Sequence, residues 1–408
     1  MVLHGRLLYA WLPLLVFLLQ AFHGRFAEGC CSDNNGGCGK NALCSEDPTT
    51  SAVKCTCKTG FTNTGCDEKV VCKDSCTIKN GGCGSHAVCS HHAKTNAVIC
   101  TSHIPANANW APNGVTVAGG NGCGNAANQL FWPGGLFVDN NQTVVTADFA
   151  NHRIMQWRKC DATNGQVVAG GNGKGNGLNQ LNHPTDVLFD KKTNSLIICD
   201  WGNHRIVRWS RRRDTAQGEV LIDNIYCWGL AMDEQRNLYV TDWEKQQVSR
   251  HRFGEQTGTV VAGGHGKCSG LNQFSNPTYL FVDRHHSVYV SDKENHRVMK
   301  WTKGATEGIV VAGGKCGGCA LSQLNCPQGL LVDAWGTVYV ADSGNHRVMR
   351  WTQKDKTQGT VVVGGKGAGT LANQLNVPFG LSFDQHDNLY VVDNNNHRLQ
   401  RFSLEKHC

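Results

Sequence analysis

Aspartate, histidine and arginine recur together through most of this chain, and these side chains supply much of the acid–base chemistry of proteins. Between residues 135 and 393 a hairpin-like pattern with two Asp residues occurs six times, as in LFVDRHHSVYVSD. Five copies continue into Asn-His-Arg and an apolar run such as RVMKW, whereas the third copy has Lys245-Gln246-Gln247 there. A group repeated in every copy is expected to belong to the scaffold, because one active site needs only one set of catalytic groups.

The second Asp of each copy ends an apolar run and precedes the Asn-His-Arg segment. Its carboxylate is expected to accept hydrogen bonds from turn N–H groups and from the His or Arg that follows. Five histidines at one register do not predict a shared metal ion, because each lies in a separate repeat. The six residues are Asp148, Asp200, Asp242, Asp292, Asp342 and Asp393.

Positions at which the copies differ are the better candidates for function. Five copies begin with a segment of the form x-Pro-x-Gly-Leu, in which Asp186 and Tyr279 replace the Gly of two copies, and the third copy has Cys227 in place of the Pro. The residues on either side of this position vary, as do the residues after the second Asp. Aromatic and polar side chains mix there, which suits a binding surface because aromatic rings give large contact area at low entropic cost. The alternative is that they only fill the interior and the solvated loops. The predicted binding residues are Trp132, His183, Thr185, Trp201, Tyr226, Trp228, Trp243, Tyr279, Gln328 and Phe379.

His183 and Asp186 are the acid–base pair that the sequence places among these positions, and with Tyr226 and Tyr279 they would form a small catalytic site. Such a site would belong to a lyase or a hydrolase. The Gly/Asn-rich loops between copies contain GxGxxG-like strings, but a strand follows each of them rather than a helix, so nucleotide binding is not expected. The segment Cys316-Gly317-Gly318-Cys319 opens no helix and is expected to form structural disulfides.

The elements that must position these residues are short strands. Each repeat of about 40 to 52 residues contains four β-rich runs, and this period is typical of a propeller blade. The sixth repeat lacks its outer run, and a matching run lies at residues 114–120, ahead of the first repeat. The sequence therefore predicts an all-β fold, a six-bladed β-propeller over residues 111–408 that is closed by an N-terminal outer strand.

The Asn-His-Arg series over residues 114–402 resembles the NHL repeat. This resemblance implies that ligands meet one face of the propeller, at the mouth of its central channel. Some similar propellers are amidating lyases that hold zinc through histidines after the proline of the variable segment; that position is never histidine here, so zinc chemistry is not expected. Others bind RNA, which the signs of export described next argue against. No cofactor is predicted, although calcium or a metal on the channel axis stays open.

The N-terminal region indicates export. An apolar run at residues 7–22 is followed by small residues, so residues 1–29 read as a signal peptide, and no other run is long enough to span a membrane. Twelve of the 21 cysteines lie between Cys30 and Cys100, a density that implies disulfides in a secreted segment. The sequence predicts a secreted protein, and the net charge of +7 favours an acidic glycan or an extracellular protein as partner over nucleic acid.

The cysteine spacing at residues 30–70 resembles an epidermal-growth-factor-like (EGF-like) domain, and residues 71–103 resemble a truncated second copy. The resemblance implies pairs Cys31–Cys44, Cys38–Cys55 and Cys57–Cys66, then Cys76–Cys89 and Cys83–Cys100. In the propeller region Cys160 and Cys408 are expected to bridge the seam between the first and last blades. A Cys199–Cys227 bridge and a bridge from Cys268 to Cys316 or Cys319 are further expectations. Asn141-Gln142-Thr143 is a glycosylation sequon in a predicted turn.

Overall fold

The computed structural model divides the chain into two units, Met1–Thr101 and Ser102–Cys408, which are described separately. The described residues are 41–46, 53–59, 61–63, 72–74, 87–91, 95–102, 104–105, 108–159, 161, 163–212, 216–355 and 357–405. The predicted signal peptide lies outside them. No helix among these residues has the length and apolar character needed to cross a membrane.

The N-terminal part of the described chain consists of two-stranded sheets. Cys44, Cys55 and Cys57 each form a disulfide, whereas their predicted partners fall in the undescribed part of the chain. Cys76 and Cys83 also lie in the undescribed part of the chain, so the EGF-like pairing stays a prediction. The strands are β1 (Ala42–Glu46), β2 (Val53–Cys57), β3 (Phe61–Asn63), β4 (Cys72–Asp74), β5 (Ala87–His91) and β6 (Val98–Ser102).

Six four-stranded antiparallel sheets form the second unit, which is a six-bladed β-propeller. Blades 1 to 5 are β8–β11, β12–β15, β16–β19, β20–β23 and β24–β27, and blade 6 is β28–β30 with β7 as its outer strand. The strands are β7 (Val115–Gly119), β8 (Pro133–Val138), β9 (Val144–Asp148), β10 (Arg153–Trp157), β11 (Gln166–Gly170), β12 (Pro184–Asp190), β13 (Ser195–Asp200), β14 (Arg205–Ser210), β15 (Glu219–Ile222), β16 (Cys227–Met232), β17 (Leu238–Asp242), β18 (Gln247–His251), β19 (Thr259–Gly263), β20 (Pro277–Val282), β21 (Val288–Asp292), β22 (Arg297–Trp301), β23 (Ile309–Gly313), β24 (Pro327–Val332), β25 (Val338–Asp342), β26 (Arg347–Trp351), β27 (Thr360–Gly364), β28 (Pro378–Phe383), β29 (Leu389–Asp393) and β30 (Arg398–Phe402).

The predicted closure is confirmed, because β7 pairs with β30 in register from Arg398 opposite Gly119 to Arg401 opposite Val115. This pairing covers the strand edge that blade 6 would otherwise leave open. Short 3₁₀ turns join the second and third strands of five blades. These turns are Phe149–Asn151, Trp201–Asn203, Lys293–Asn295, Ser343–Asn345 and Asn394–Asn396.

The core lies between neighbouring blades. Second strands such as β21 are buried along their whole length, because both faces of a blade are covered by its neighbours. Trp301 of blade 4 packs on the ring of Phe274, 4.7 Å between centroids, in a cluster that also contains Tyr239 of blade 3. The recurring aromatic position at the end of the third strand is therefore interblade core, with Trp157, Trp301, Trp351 and Phe402 almost completely buried.

A clasp ahead of β7 fastens the chain to blades 5 and 6. The indole of Trp110 packs between the rings of Tyr339 and Phe383 and donates from Nε1 to the carbonyl of Asp387 (3.0 Å). Trp110 also pairs with Leu404 beyond β30. The packed unit thus begins before residue 111, and both ends of the propeller chain are held at the same place.

Candidate functional site

The repeated Asp, Asn and Arg residues hold the loop that leads into their own blade. In blade 1, Asp148 Oδ1 accepts from the N–H of Phe131 (2.8 Å), and Oδ2 accepts from Asn151 Nδ2 (2.9 Å) and Arg153 Nε (2.7 Å). The guanidinium of Arg153 also donates to the carbonyl of Asn125, within the Gly-rich loop (2.7 Å). The same buried Arg–Asp pair recurs in blades 2, 4, 5 and 6 at 2.7 to 2.8 Å, so these residues are scaffold.

The histidine of the motif joins one blade to the next in blades 1, 4, 5 and 6, whereas the Arg that follows it supplies the expected bond to the Asp. His152 Nδ1 accepts from the backbone N–H of His183 in blade 2 (3.1 Å), and His397 of blade 6 does the same for Trp132 of blade 1 (3.3 Å). A left-handed backbone at each histidine, with φ of 52° to 54°, ends the 3₁₀ turn. Nδ1 accepts only when the imidazole is not fully protonated, and burial lowers the pKa of His152 and His397.

The residue before each proline is held in a left-handed conformation, with φ near 50° at Trp132 and His183. This backbone is costly for residues other than glycine, and Val377 at φ 56° is an extreme case because it is β-branched. The conformation recurs where the histidine bond holds the residue, so the strain belongs to the scaffold. The two aromatic residues at this position, Trp132 and His183, lie beside the channel mouth.

A cavity of about 160 Å³ lies at the mouth of the central channel, on the face formed by the loops before the first strands and after the second strands. Five of the ten predicted binding residues line it: Trp132, Thr185, Trp228, Tyr279 and Phe379. Phe149, Asn394 and Gly134 complete the wall. We call this cavity the upper pocket.

An arc of aromatic rings continues from the upper pocket across blades 1 to 3. The ring of Phe149 lies 4.6 Å from that of His183, and 6.1 Å from that of Trp201. Trp201 contacts Trp228 and Trp243 at 6.2 and 6.3 Å, and Trp243 contacts Tyr226 at 6.3 Å. The aromatic arc is Phe149, His183, Trp201, Trp228, Trp243 and Tyr226.

Several polar atoms of the predicted site residues have no hydrogen-bond partner among the described residues. They include the indole N–H groups of Trp201, Trp228 and Trp243 in the aromatic arc. The hydroxyl of Thr185 and the side-chain carbonyl of Gln328 share this property and are almost fully buried. A buried donor or acceptor without a partner costs about 1–3 kcal/mol. Trp157 and Trp301 of the interblade core share this property, so it does not by itself mark a ligand site.

Phe149 and Asn394 were missed as site residues. Both directly follow the second Asp of their repeats, and this position was recognised as variable in the sequence. The signal was therefore present: an aromatic or amide side chain one residue after that Asp reaches the channel mouth. Asn394 also donates to the carbonyl of Pro133 in blade 1 (2.8 Å), so it has a structural contact as well.

The proposed acid–base pair has its two members in different environments. The ring of His183 packs against Phe149 and His152, and burial together with His152 lowers its pKa. Asp186 lies in the channel, where its carboxylate accepts the backbone N–H groups of Val187 and Leu230 (2.9 Å each). Burial raises the pKa of Asp186 to about 7.

The tyrosines expected beside that pair also separate. Tyr279 is buried in the channel, and its hydroxyl donates to the carbonyl of Thr185 (3.4 Å). Burial, followed by the charge of Asp186, raises its pKa well above 10.0. Tyr226 instead stacks on His204 at 3.9 Å, on the aromatic arc. The channel therefore brings together Asp186 and Tyr279, whereas His183 and Tyr226 lie in the aromatic arc, on the face around the channel mouth.

The cysteines of the propeller behave differently from one another. Cys199 and Cys227 form a disulfide between β13 and β16, which joins blades 2 and 3 as expected. The expected bridge from Cys268 to Cys316 or Cys319 is wrong, because all three are exposed free thiols. Cys160 and Cys408 are outside the described residues, so the seam bridge stays a prediction.

The sequon asparagine, Asn141, is exposed in the turn between β8 and β9, the kind of place that glycosylation requires. Within the described parts of the chain, no group of three or more His, Cys, Asp or Glu side chains is arranged to hold a metal ion.

Residues 324–350 and 375–402 match the model of the NHL repeat. Solved structures with this fold include a protein of unknown function from Bacteroides thetaiotaomicron (18% identity, TM-score 0.58, covering 76% of this chain and 80% of that one). Auxiliary nutrient binding proteins from B. thetaiotaomicron (14%, 0.56, 78% and 82%) and Bacteroides ovatus (14%, 0.53, 78% and 83%) are similar as well. No curated protein matches. The chain thus contains NHL repeats in a six-bladed propeller, and the likeness to these structures concerns the fold.

Proposed function

We propose that this chain is a secreted, non-catalytic binding protein that recognises an extracellular glycan through the upper pocket and the aromatic arc. The observation that carries the proposal is the aromatic arc itself, in which adjoining rings meet across blades 1 to 3 beside the upper pocket. Aromatic rings stack on the apolar faces of sugars, so a surface of adjoining rings is suited to carbohydrate. The positive net charge favours an acidic one.

The size of the upper pocket supports a particular mode of binding. Ligand pockets usually enclose about 300–1,000 Å³, and this one measures about 160 Å³. It therefore accommodates one terminal group, such as a single sugar ring, while the rest of the ligand extends along the aromatic arc. A protein ligand would use the same surface by inserting one side chain, and it is the alternative that the experiment must separate.

Export is the second part of the proposal. The N-terminal apolar run and the cysteine density support it, and so do the disulfides at Cys44, Cys55, Cys57 and Cys199–Cys227. Disulfides persist in oxidising compartments and are rare in the cytosol. Two structures with the same fold bear the name of nutrient binding proteins, which agrees with a binding role at the level of the fold.

The test is a glycan array screened with the secreted protein, in parallel with affinity capture of extracellular proteins. Trp228→Ala and Trp201→Ala should lose binding by a factor of about ten or more, as removal of a central aromatic contact does. Trp335→Ala is the matched control, because Trp335 is 57% exposed in the β24–β25 turn, at the opposite end of the blades.

Three outcomes bear on the assignment. Retained glycan binding in both Trp variants would contradict the choice of this face. Capture of one protein, with no glycan bound, would show that the ligand is a protein rather than a glycan. Turnover of a bound compound by the wild type, lost in His183→Ala and Asp186→Asn, would favour the lyase or hydrolase alternative over a binding role.

A further inference from the structure

We propose that the other end of the central channel is a second binding site, which takes a small organic cation with an apolar body. A cavity of about 270 Å³ lies there, between the first strands of all six blades. We call it the lower cavity. Leucine, valine, phenylalanine and methionine side chains form most of its wall, and Asp186 and Tyr279 are the ionisable side chains among the described residues that line it.

Glycines from several blades meet at the centre of the channel, and Asp186 departs from this repeated pattern. The third residue of the first strand is glycine in four of the six blades, and Asp186 and Tyr279 take this place in blades 2 and 4. A Cβ at Gly329 would lie 2.3 Å from the carbonyl oxygen of Phe379, and one at Gly229 would lie 2.7 Å from that of Thr278. The converging backbones therefore leave room for few side chains.

The neighbour of Asp186 in this ring is itself adapted to it. A Cβ at Gly135 would lie 1.9 Å from Asp186 Oδ1, so blade 1 keeps a glycine where the carboxylate of blade 2 packs. Asp186 is 6% exposed, and within the described part of the chain its two oxygens accept the N–H groups of Val187 and Leu230 and no others. Of the ion pairs among the described residues, none includes Asp186.

The chemistry of the ligand follows from these surroundings. A carboxyl in an apolar cavity stays protonated or pairs with a cation, because an isolated charge is costly there. An ammonium group placed against Asp186 would supply the missing counter-charge, and an alkyl or aryl body would cover the apolar wall. Tyr279 adds an aromatic ring that attracts cations. A bare metal ion fits less well, since hard cations require several oxygen ligands.

The size of the lower cavity limits the ligand further. Its volume of about 270 Å³ is just below the usual range for drug-sized ligands, so the expected occupants are small, such as an alkylammonium or arylalkylammonium ion. This site is independent of the glycan proposal, because it lies at the opposite end of the channel and shares only Tyr279 with the upper pocket.

The test uses 2-phenylethylammonium and its neutral counterpart 2-phenylethanol, titrated calorimetrically into the whole protein at pH 8. The ammonium should bind about tenfold or more tightly than the alcohol, as expected for a charge-assisted hydrogen bond. Asp186→Asn should remove this preference, whereas Trp228→Ala should keep it. Equal binding of the two probes, failure of both to bind, or an unchanged preference in Asp186→Asn would overturn the proposal.

A second measurement needs no variant and covers the case in which Asp186→Asn does not fold. Near pH 6 the wild-type carboxyl should release a proton when the ammonium binds, while Tyr279 stays neutral. Titrations in buffers of different ionisation enthalpy should therefore show about one proton released per ammonium bound and none for the alcohol. The absence of proton release with ammonium bound would contradict a role for the Asp186 carboxyl.

Discussion

Replacing Asp186 with Asn should reverse its effect on stability between low and high pH. The carboxyl is buried in the channel, and burial raises its pKa from the ordinary 3.8 to about 7. The folded state therefore holds this proton more tightly than the unfolded chain does. The free energy of unfolding contributed by this group is highest below pH 3.8 and decreases as the pH rises towards 7.

The magnitude follows from the difference between the two pKa values. A difference of about 3 corresponds to about 4 kcal/mol, which the ionised carboxylate subtracts from the free energy of unfolding above pH 7. Asn has no charge at any pH, but its amide nitrogen cannot accept the N–H of Val187 or Leu230. One unpaired N–H costs about 1–3 kcal/mol. The variant should thus be less stable than the wild type at pH 4 and more stable at pH 8.

Urea unfolding followed by tryptophan fluorescence at several pH values measures this crossover. The difference between the two proteins cancels the titration of all other groups. Tyr279→Phe is the control, because it leaves the Asp186 carboxyl in place and should keep the wild-type slope. If the unfolding free energies of wild type and Asp186→Asn stay parallel from pH 4 to pH 8, the carboxyl is ionised in the folded state and the reasoning about the channel fails.

Three further predictions concern the scaffold. The double variant His152→Gln, His397→Gln copies the natural Gln246. Between pH 7 and pH 5 its free energy of unfolding should fall less than that of the wild type, because burial lowers the pKa of both histidines below 6.5 and acid protonates their acceptor nitrogens. An equal fall in urea unfolding would contradict this. Cys316→Gly should raise the free energy of unfolding by about 1 kcal/mol, since Cys316 holds φ at 61°, and an unchanged or lower value would refute the strain. Trp110→Ala should lower the free energy of unfolding by about 3–5 kcal/mol, because it removes the buried indole from the clasp. A loss below about 1 kcal/mol would show that the clasp does not contribute to stability.

The strand order and the ring closure were predictable because both depend on patterns that are local in the chain. Runs rich in apolar, β-branched and aromatic residues, separated by turns, define each strand, and the outer run at residues 114–120 matches the outer run that the sixth repeat lacks. The role of the repeated histidine was not predictable in this way. Its neighbours in sequence are an Asn and an Arg, with the Asp four residues earlier, but its acceptor nitrogen bonds to a backbone N–H about thirty residues further along, in the next blade. Contacts between repeats leave no mark in the pattern of a single repeat.

Within the site, five of the ten residues chosen by variability line the upper pocket, and the other five do not. Variability did not indicate how deep in the channel each side chain lies. His183 precedes β12 and lies on the face around the channel mouth, whereas Asp186 is the third residue of that strand and lies inside the channel. Three residues of extended chain span up to about 10 Å, so closeness in sequence did not make the two side chains partners.

Blade 3 departs from the repeat because the loop ahead of it is different. The other blades use Arg to hold the carbonyls of a Gly-rich loop, and blade 3 has no such loop. Gln247 therefore occupies the place of Arg, opposite Asp242. Gln246 replaces His but keeps its function, since its Oε1 accepts the N–H of Asn276 in blade 4 (2.7 Å). The contact from blade 3 to the next blade is therefore kept.

The disulfide Cys199–Cys227 takes the place of the missing loop in joining blades 2 and 3. A covalent link of this kind constrains the unfolded chain and holds the second strand of blade 2 against the first strand of blade 3 with few residues. The short connection brings Tyr226 and Trp228 onto the face where Trp201 and Trp243 meet. The irregular blade and the centre of the aromatic arc are thus one feature: the scaffold changes at the place where the aromatic residues that do not repeat are concentrated.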